Sequence, residues 1–189
     1  MLYRFSTFIV YSILKLFFNL EIKGADCIPK KGSFILAANH VSFLDPPAVS
    51  SCCPRKVLFI ARADLFDNKV LGFYMRRVGV IPIKRYSADL GALKVALKAL
   101  KNMPLLIFPQ GERTSNFDDV RPGIGFLCKK SDVPVIAARI YGTDVVLPRG
   151  AKFLRPGKVK VIFSQVDNIG KDDTYEDITV KVMMKIKSL

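Results

Sequence analysis

Six short apolar runs constrain the fold of this 189-residue chain more than any other feature: "GSFILAAN", "KVLFIARA", "VIPIKR", "MPLLIFP", "VPVIAARIYG" and "KVKVIFSQV". Each has the length of a strand, and the uninterrupted ones suit strands covered on both faces. Between them lie stretches that read as helices: "DPPAVSSC", "FDNKVLGFYMRRVG", "SADLGALKVALKALKN", "GIGFLCKKSD" and the closing "DDTYEDITVKVMMKIKSL". In the third, Ser87 is placed to cap, Asp89 lies in the first turn, and Lys94, Lys98 and Lys101 make a wet face. Strands alternating with helices predict an α/β fold with a largely parallel central sheet flanked by helices. "LEIKGAD" alternates like one further, half-buried strand. No linker, repeat or low-complexity segment interrupts residues 19–189, which read as one domain. In such sheets ligands sit beyond the carboxyl ends of strands. Two unusual loops, "NHVSFLDPP" and "FPQGERT", each follow an apolar strand and are expected to meet at that edge.

Residues 1–18, "MLYRFSTFIVYSILKLFF", form a separate amphipathic segment. Arg4, Thr7, Tyr11 and Lys15 fall on one stripe of a helical wheel, and nearly all the rest is apolar. Ten residues, Phe5 to Leu14, separate the two charges. A spanning helix wants about 20 apolar residues. A signal peptide wants small residues at a cleavage site, for which "NLEIKGAD" is a poor match. A helix lying in a membrane interface fits best, with packing onto the protein's own core as the alternative.

Thirty Lys and Arg against 16 Asp and Glu leave a formal net charge of +14, while half of the residues are hydrophobic. Basicity combined with greasiness points to anionic membrane lipid or an acidic lipid substrate. Nucleic acid competes on charge alone, but zinc-finger spacing and an RRM signature are missing, so no nucleic-acid partner is expected. Cys27, Cys52, Cys53 and Cys128 include no C-x-x-C pair, and one histidine cannot complete a Cys/His site. They read as buried thiols in a reducing compartment, with no metal expected.

That one histidine, His40, stands in "NHVSFLDPP". Histidine suits a general base because its ordinary pKa, about 6.5, is near neutrality, provided an acceptor holds the second ring nitrogen. Asp45 is the candidate acceptor. On a continuous helix, residues five apart point about 140° from each other. The two therefore touch only if "HVSFLD" turns before a helix begins, a stop that Pro46 and Pro47 favour. The residues alone leave a second reading open, with Asp45 as the N-cap, Pro46 at the first helical position and His40 a buried polar group. No G-x-S-x-G elbow is present, and Ser42 is too close to His40 to argue for an acyl-enzyme. A base and its orienter without a protein nucleophile suit direct attack by a substrate hydroxyl. Gly111 permits close backbone approach, and Arg113 can grip a phosphate at two points. Lys84 and Arg85 end another strand; taken singly, such basic residues are more often solvated surface.

In this order the segments resemble the glycerolipid acyltransferases, most of all the bacterial 1-acylglycerol-3-phosphate acyltransferases. "NHVSFLDP" fits the Asn-His, four residues, Asp signature; "GVIPIKR" is similar to the second motif, "FPQGERTS" to the third and "VPVIAARIYGT" to the fourth. The resemblance implies that His40 deprotonates the acceptor hydroxyl while Asp45 holds its imidazole. It implies that Arg85, Gly111 and Arg113 bind the acceptor's phosphate and that Pro134 shapes the acyl or acceptor pocket. Gln110 and Glu112 complete the acceptor set. Gln110 replaces the usual Glu, Glu112 stands where Thr is common, and Ala137 replaces a frequent second proline. Gln110 can still hydrogen-bond a glycerol hydroxyl, but without charge.

The implied reaction moves a fatty acyl group from a thioester on acyl carrier protein or coenzyme A to the sn-2 hydroxyl of lysophosphatidic acid, with no cofactor. The product, phosphatidic acid, feeds phospholipid biosynthesis. The expected location is the cytoplasmic face of the inner membrane, peripheral or monotopic. Another lysolipid acceptor, such as lyso-ornithine lipid, and a catalytically silent lipid-binding homologue are the alternatives.

Overall fold

A computed structural model describes residues 1–83, 90–118, 120–121 and 123–189. The element order is α1 (Leu2–Phe17), β1 (Glu21–Lys23), β2 (Ile35–Ala38), α2 (Asp45–Cys52), β3 (Leu58–Arg62), α3 (Lys69–Val78) and β4 (Val80–Ile83). It continues with α4 (Leu90–Leu100), β5 (Leu105–Ile107), α5 (Gly123–Ser131), β6 (Val135–Tyr141), α6 (Thr143–Val146), β7 (Lys160–Gln165) and α7 (Tyr175–Ser188). Every expected strand and helix has a counterpart among the described residues; the expected end of β4, Lys84 and Arg85, lies outside them. The expected cap and first-turn residues of α4, Ser87 and Asp89, lie outside them. The short α6 was not legible.

The seven strands form one sheet in the order β1-β7-β6-β2-β5-β3-β4. Strands β6, β2, β5, β3 and β4 run parallel. Strand β7 runs antiparallel to β6, and β1 runs parallel to β7. The reversal follows from the connection: residues 147–159 carry the chain directly from α6 to the neighbouring strand, without a helix crossing a face of the sheet.

Side chains alternate across the sheet, so each strand feeds two cores. Leu36, Ala38, Leu106, Ile136 and Ala138 meet Leu14 and Phe18 at the end of α1 and Ala48 and Val49 of α2. Ile35, Ala37, Leu105 and Ala137 face the other way, against Leu100 of α4, Leu127 of α5 and Val182 and Ile186 of α7. A smaller cluster joins Tyr3 to Phe66, Met75, Val78 and Val80.

Helix α1 follows the core-packing alternative along one face. Tyr3, Leu14 and Phe18 are buried and Val10 packs against the core, so one narrow face is part of the fold. The Tyr3 hydroxyl accepts the Val57 N–H at 3.2 Å. The remaining apolar surface stands in the open: Phe8 is 67% exposed, Leu16 77% and Phe17 73%. Among the described residues, no helix is long and apolar enough to cross a membrane.

All four cysteines are free, with Cys52, Cys53 and Cys128 buried. Burial pushes the Cys52 and Cys128 thiols up to about 12, which removes them as nucleophiles near neutral pH. No group of three or more His, Cys, Asp or Glu able to hold a metal ion occurs among the described residues.

Candidate active site

Strand order assembles the site. Strand β2 lies between β5 and β6, all three parallel, so the loops leaving their carboxyl ends are neighbours. Those loops carry His40 after β2, Gln110–Arg113 after β5 and Thr143 after β6. Asn39 locks the first loop to the third strand: its Oδ1 accepts the Ile140 N–H at 2.7 Å and its Nδ2 donates to the Ile140 carbonyl at 3.0 Å. This two-point bond continues the β2–β6 pairing one residue past the strand.

The chain then turns sharply, and the turn is built on Asp45. Its carboxylate is fully buried. Oδ2 accepts from His40 Nδ1 at 2.8 Å, from the Val41 N–H at 2.6 Å and from the Ser42 N–H at 2.7 Å. Oδ1 accepts the Thr143 hydroxyl at 2.5 Å. Four donors around one carboxylate compensate its loss of hydration and fix its orientation.

Asp45 is therefore not the N-cap of α2. Leu44 holds that position without a side-chain cap bond, and Asp45 and Pro46 are the first two helical residues. The physical reason is that the carboxylate bends back to the two N–H groups and the imidazole that precede the helix. These outbid the helix's own free N–H groups, two of which are already removed by Pro46 and Pro47.

His40 is fixed from several sides. Its ring stacks on Phe108, centroids 4.3 Å apart and planes 26° apart. Its N–H donates to Gln110 Oε1 at 2.8 Å and its carbonyl accepts the Thr114 N–H at 2.8 Å. The bond to Asp45 takes Nδ1, so Nδ1 carries a proton, and in the neutral ring the lone pair is on Nε2. Among the described residues nothing bonds Nε2, and the side chain is 16% exposed.

Ser42 is fully buried, and its hydroxyl donates to the Leu147 carbonyl at 2.8 Å. It straps the loop after α6 to the histidine loop, an engaged position that does not suit a nucleophile.

Gly111 sits at φ +70°, and the Gly111 N–H closes a turn onto the Phe108 carbonyl at 2.9 Å. A Cβ there would press into the Arg121 side chain. Arg113 follows and lies over the Phe43 ring, 3.6 Å from its centroid. Burial and the cation of Arg149 hold the Arg113 guanidinium below its ordinary value, Arg62 adds to this, and Asp45 pulls the other way. Arg113 and Arg149 thus lie close enough to repel each other, with Asp45 also within electrostatic reach of Arg113, an arrangement suited to an anion.

The structure brings together His40, Asp45, Gln110, Gly111 and Arg113. Glu112 is exposed on the same loop. Arg85 lies outside the described residues. Pro134 does not join the site. It precedes β6 at the amino end of the sheet, where its carbonyl accepts the Ile35 N–H at 2.9 Å. Pro134 is level with Phe34, six residues before His40 along β2 and its continuation, a rise of roughly 20 Å. The Val-Pro-Val segment thus starts a strand, and its contribution to the site comes from the far end. There stand Gly142 and Thr143, and beyond them Arg149, none of which sequence reasoning singled out. Thr143 closes the quoted fourth motif, just past the carboxyl end of a predicted strand, but no role was read from it. Phe43 and Phe108 stand inside the quoted motifs, but no role was read from them.

The geometry agrees with comparisons to known proteins. A family model described as Acyltransferase matches residues 19–141. The chain is 30% identical over 128 residues to a 1-acyl-sn-glycerol-3-phosphate acyltransferase of Streptococcus pneumoniae, covering 66% of this chain and 48% of that protein. It is 24% identical over 166 residues to a protein of the same name from Bacillus subtilis, covering 87% and 81%. It therefore spans most of the second relative but about half of the first. The fold matches the crystal structure of a 1-acyl-sn-glycerophosphate acyltransferase from Thermotoga maritima. The TM-score there is 0.79 at 24% identity, covering 98% of this chain and 76% of that one. The family match spans the histidine loop and the Gln110–Arg113 loop alike, and on that ground this chain belongs to the acyltransferase family.

Proposed function

We propose that this chain moves a fatty acyl group from an acyl thioester, on acyl carrier protein or coenzyme A, to the sn-2 hydroxyl of 1-acylglycerol 3-phosphate, giving phosphatidic acid. The observation that carries this reading is His40, with Nδ1 held by a buried carboxylate and Nε2 without a partner among the described residues, at the sheet edge whose loops also carry Arg113. His40 Nε2 takes the proton of the acceptor hydroxyl as its oxygen attacks the thioester carbonyl carbon. The C–O bond forms, the C–S bond breaks, and the Nε2 proton passes to the departing thiolate. Asp45 stabilises the imidazolium between the two transfers. The names of the relatives support lysophosphatidic acid as acceptor. Arg113 and Arg149 support it independently, because a phosphomonoester matches their charge.

The phosphate reading is tested with Arg113→Lys, which keeps the charge but loses the planar two-point fork. The acceptor KM is expected to rise about 10-fold for lysophosphatidic acid and to change little for an uncharged monoacylglycerol. Donor hydrolysis without acceptor should stay near wild type. Equal losses on both acceptors would assign Arg113 to the donor or to the fold.

In the same reading α1 lies on the cytoplasmic face of the inner membrane, its exposed phenylalanines in the interface and the +14 charge attracting anionic lipid. Phe8 and Phe17 are exposed, so replacing both with Asp spares the core. Burial of a phenylalanine contributes about 1.5–3 kcal/mol, so the double variant should bind anionic liposomes roughly 100-fold more weakly in co-sedimentation. Its activity should fall on bilayer acceptor and persist on dispersed short-chain acceptor. Unchanged sedimentation would remove α1 from the membrane contact.

A further inference from the structure

Gln110 stands in an acyltransferase motif with a neutral side chain, and its surroundings explain why. It is 1% exposed. Its Oε1 accepts the His40 N–H at 2.8 Å, and its Nε2 donates to the carbonyls of Thr114 at 3.1 Å and Asn116 at 2.8 Å. Only one orientation of the amide satisfies all three partners, because a flip would set donor against donor and oxygen against two carbonyls. Both amide hydrogens are therefore used, and burial leaves no face open to a ligand. The bonds clasp the segment 110–116 around the backbone of His40, which the Thr114 N–H grips a second time through the His40 carbonyl. An ionised carboxylate in the same place would accept from His40 but would confront two carbonyl oxygens with no hydrogen to offer.

From this we infer that Gln110 is a positioning residue for His40 rather than a contact of the acceptor. Its amide sets the backbone of the base and, through the same clasp, holds the turn that carries Gly111 and Arg113. The uncharged residue is matched to the way this loop is wound, so its presence is no sign of a lapsed site. The kinetic part of the inference rests on the acyl-transfer reading; the structural part does not.

The test compares Gln110→Glu with Gln110→Met, which fills the space without polar atoms and serves if a buried carboxylate unfolds the chain. Circular dichroism selects the variant that keeps wild-type secondary structure. In that variant kcat should fall about 10- to 100-fold, the loss typical of a misplaced catalytic group, with at most a smaller rise in acceptor KM as the turn of Arg113 loosens. Hydrolysis of the thioester by water, which needs the same base, should fall by the same factor. Hydrogen exchange should quicken in peptides covering 39–44 and 111–118, and stay slow in 135–141. A selective rise in acceptor KM with hydrolysis unchanged would overturn the inference and make Gln110 an acceptor contact. Wild-type kcat and exchange in both variants would overturn it equally. If the wild-type chain transfers no acyl group to any lysolipid, the functional reading fails, and the exchange measurement alone still decides whether Gln110 holds the two loops together.

Discussion

Replacing His40 with alanine is expected to lower kcat for acyl transfer by at least about 100-fold and by up to about 10⁴-fold, the range for loss of a general base. The fold should survive. The imidazole lies at the edge of the site, stacked on one face by Phe108, and its backbone bonds to Gln110 and Thr114 do not involve the ring. Thermal melting near the wild-type temperature with activity at the background level would therefore be the signature. Activity close to wild type in a folded His40→Ala chain would show that the proton goes elsewhere.

Asp45 predicts a second large effect, and two substitutions separate its roles. In Asp45→Asn the amide can turn its oxygen to His40 Nδ1 and the Val41 and Ser42 N–H groups, while its NH₂ faces Thr143, whose hydroxyl can accept as well as donate. The turn should hold, but the negative charge opposite the developing imidazolium is gone, so kcat should fall about 100-fold with little loss of stability. Asp45→Ala instead leaves two buried backbone N–H groups and the imidazole without an acceptor. Hydrogen bonds to a charged group contribute roughly 1.5–3 kcal/mol each, so this chain should also be less stable by about 3 kcal/mol or more in urea melts. Equal stability of the two variants would mean that the carboxylate is not the keystone of the turn.

The sequence disclosed the α/β layering because, from "GSFILAAN" to "VPVIAARIYG", strand-length apolar runs and helical stretches alternate. It disclosed the meeting of "NHVSFLDPP" with "FPQGERT" because both loops follow strands of one parallel sheet. The contact between His40 and Asp45 was legible as a condition, a turn before Pro46, which the structure meets. What stayed hidden depends on partners distant in sequence. Thr143 reaches Asp45 across 98 residues and Ser42 reaches Leu147 across 105, and no local pattern announces such bonds. The direction of β7 was hidden for a similar reason: alternation marks a strand, whereas its sense depends on the route of residues 147–159. The bonds of Gln110 were hidden too, because its residue type reports what an amide can bond, not that the carbonyls of Thr114 and Asn116 already accept from it. Pro134 lay in a recognisable motif whose functional end is the opposite one.

The most direct measurement follows both products of one reaction: radiolabelled acyl thioester is incubated with lysophosphatidic acid in anionic bilayers, and released thiol, acyl ester and acyl-protein are counted after an acid quench. Direct attack assisted by His40 predicts one thiol per phosphatidic acid, acylated at the sn-2 oxygen, with no label on the protein at any time point. A labelled acyl-protein formed fast enough to precede product, or thiol release without ester on this acceptor, would contradict the account.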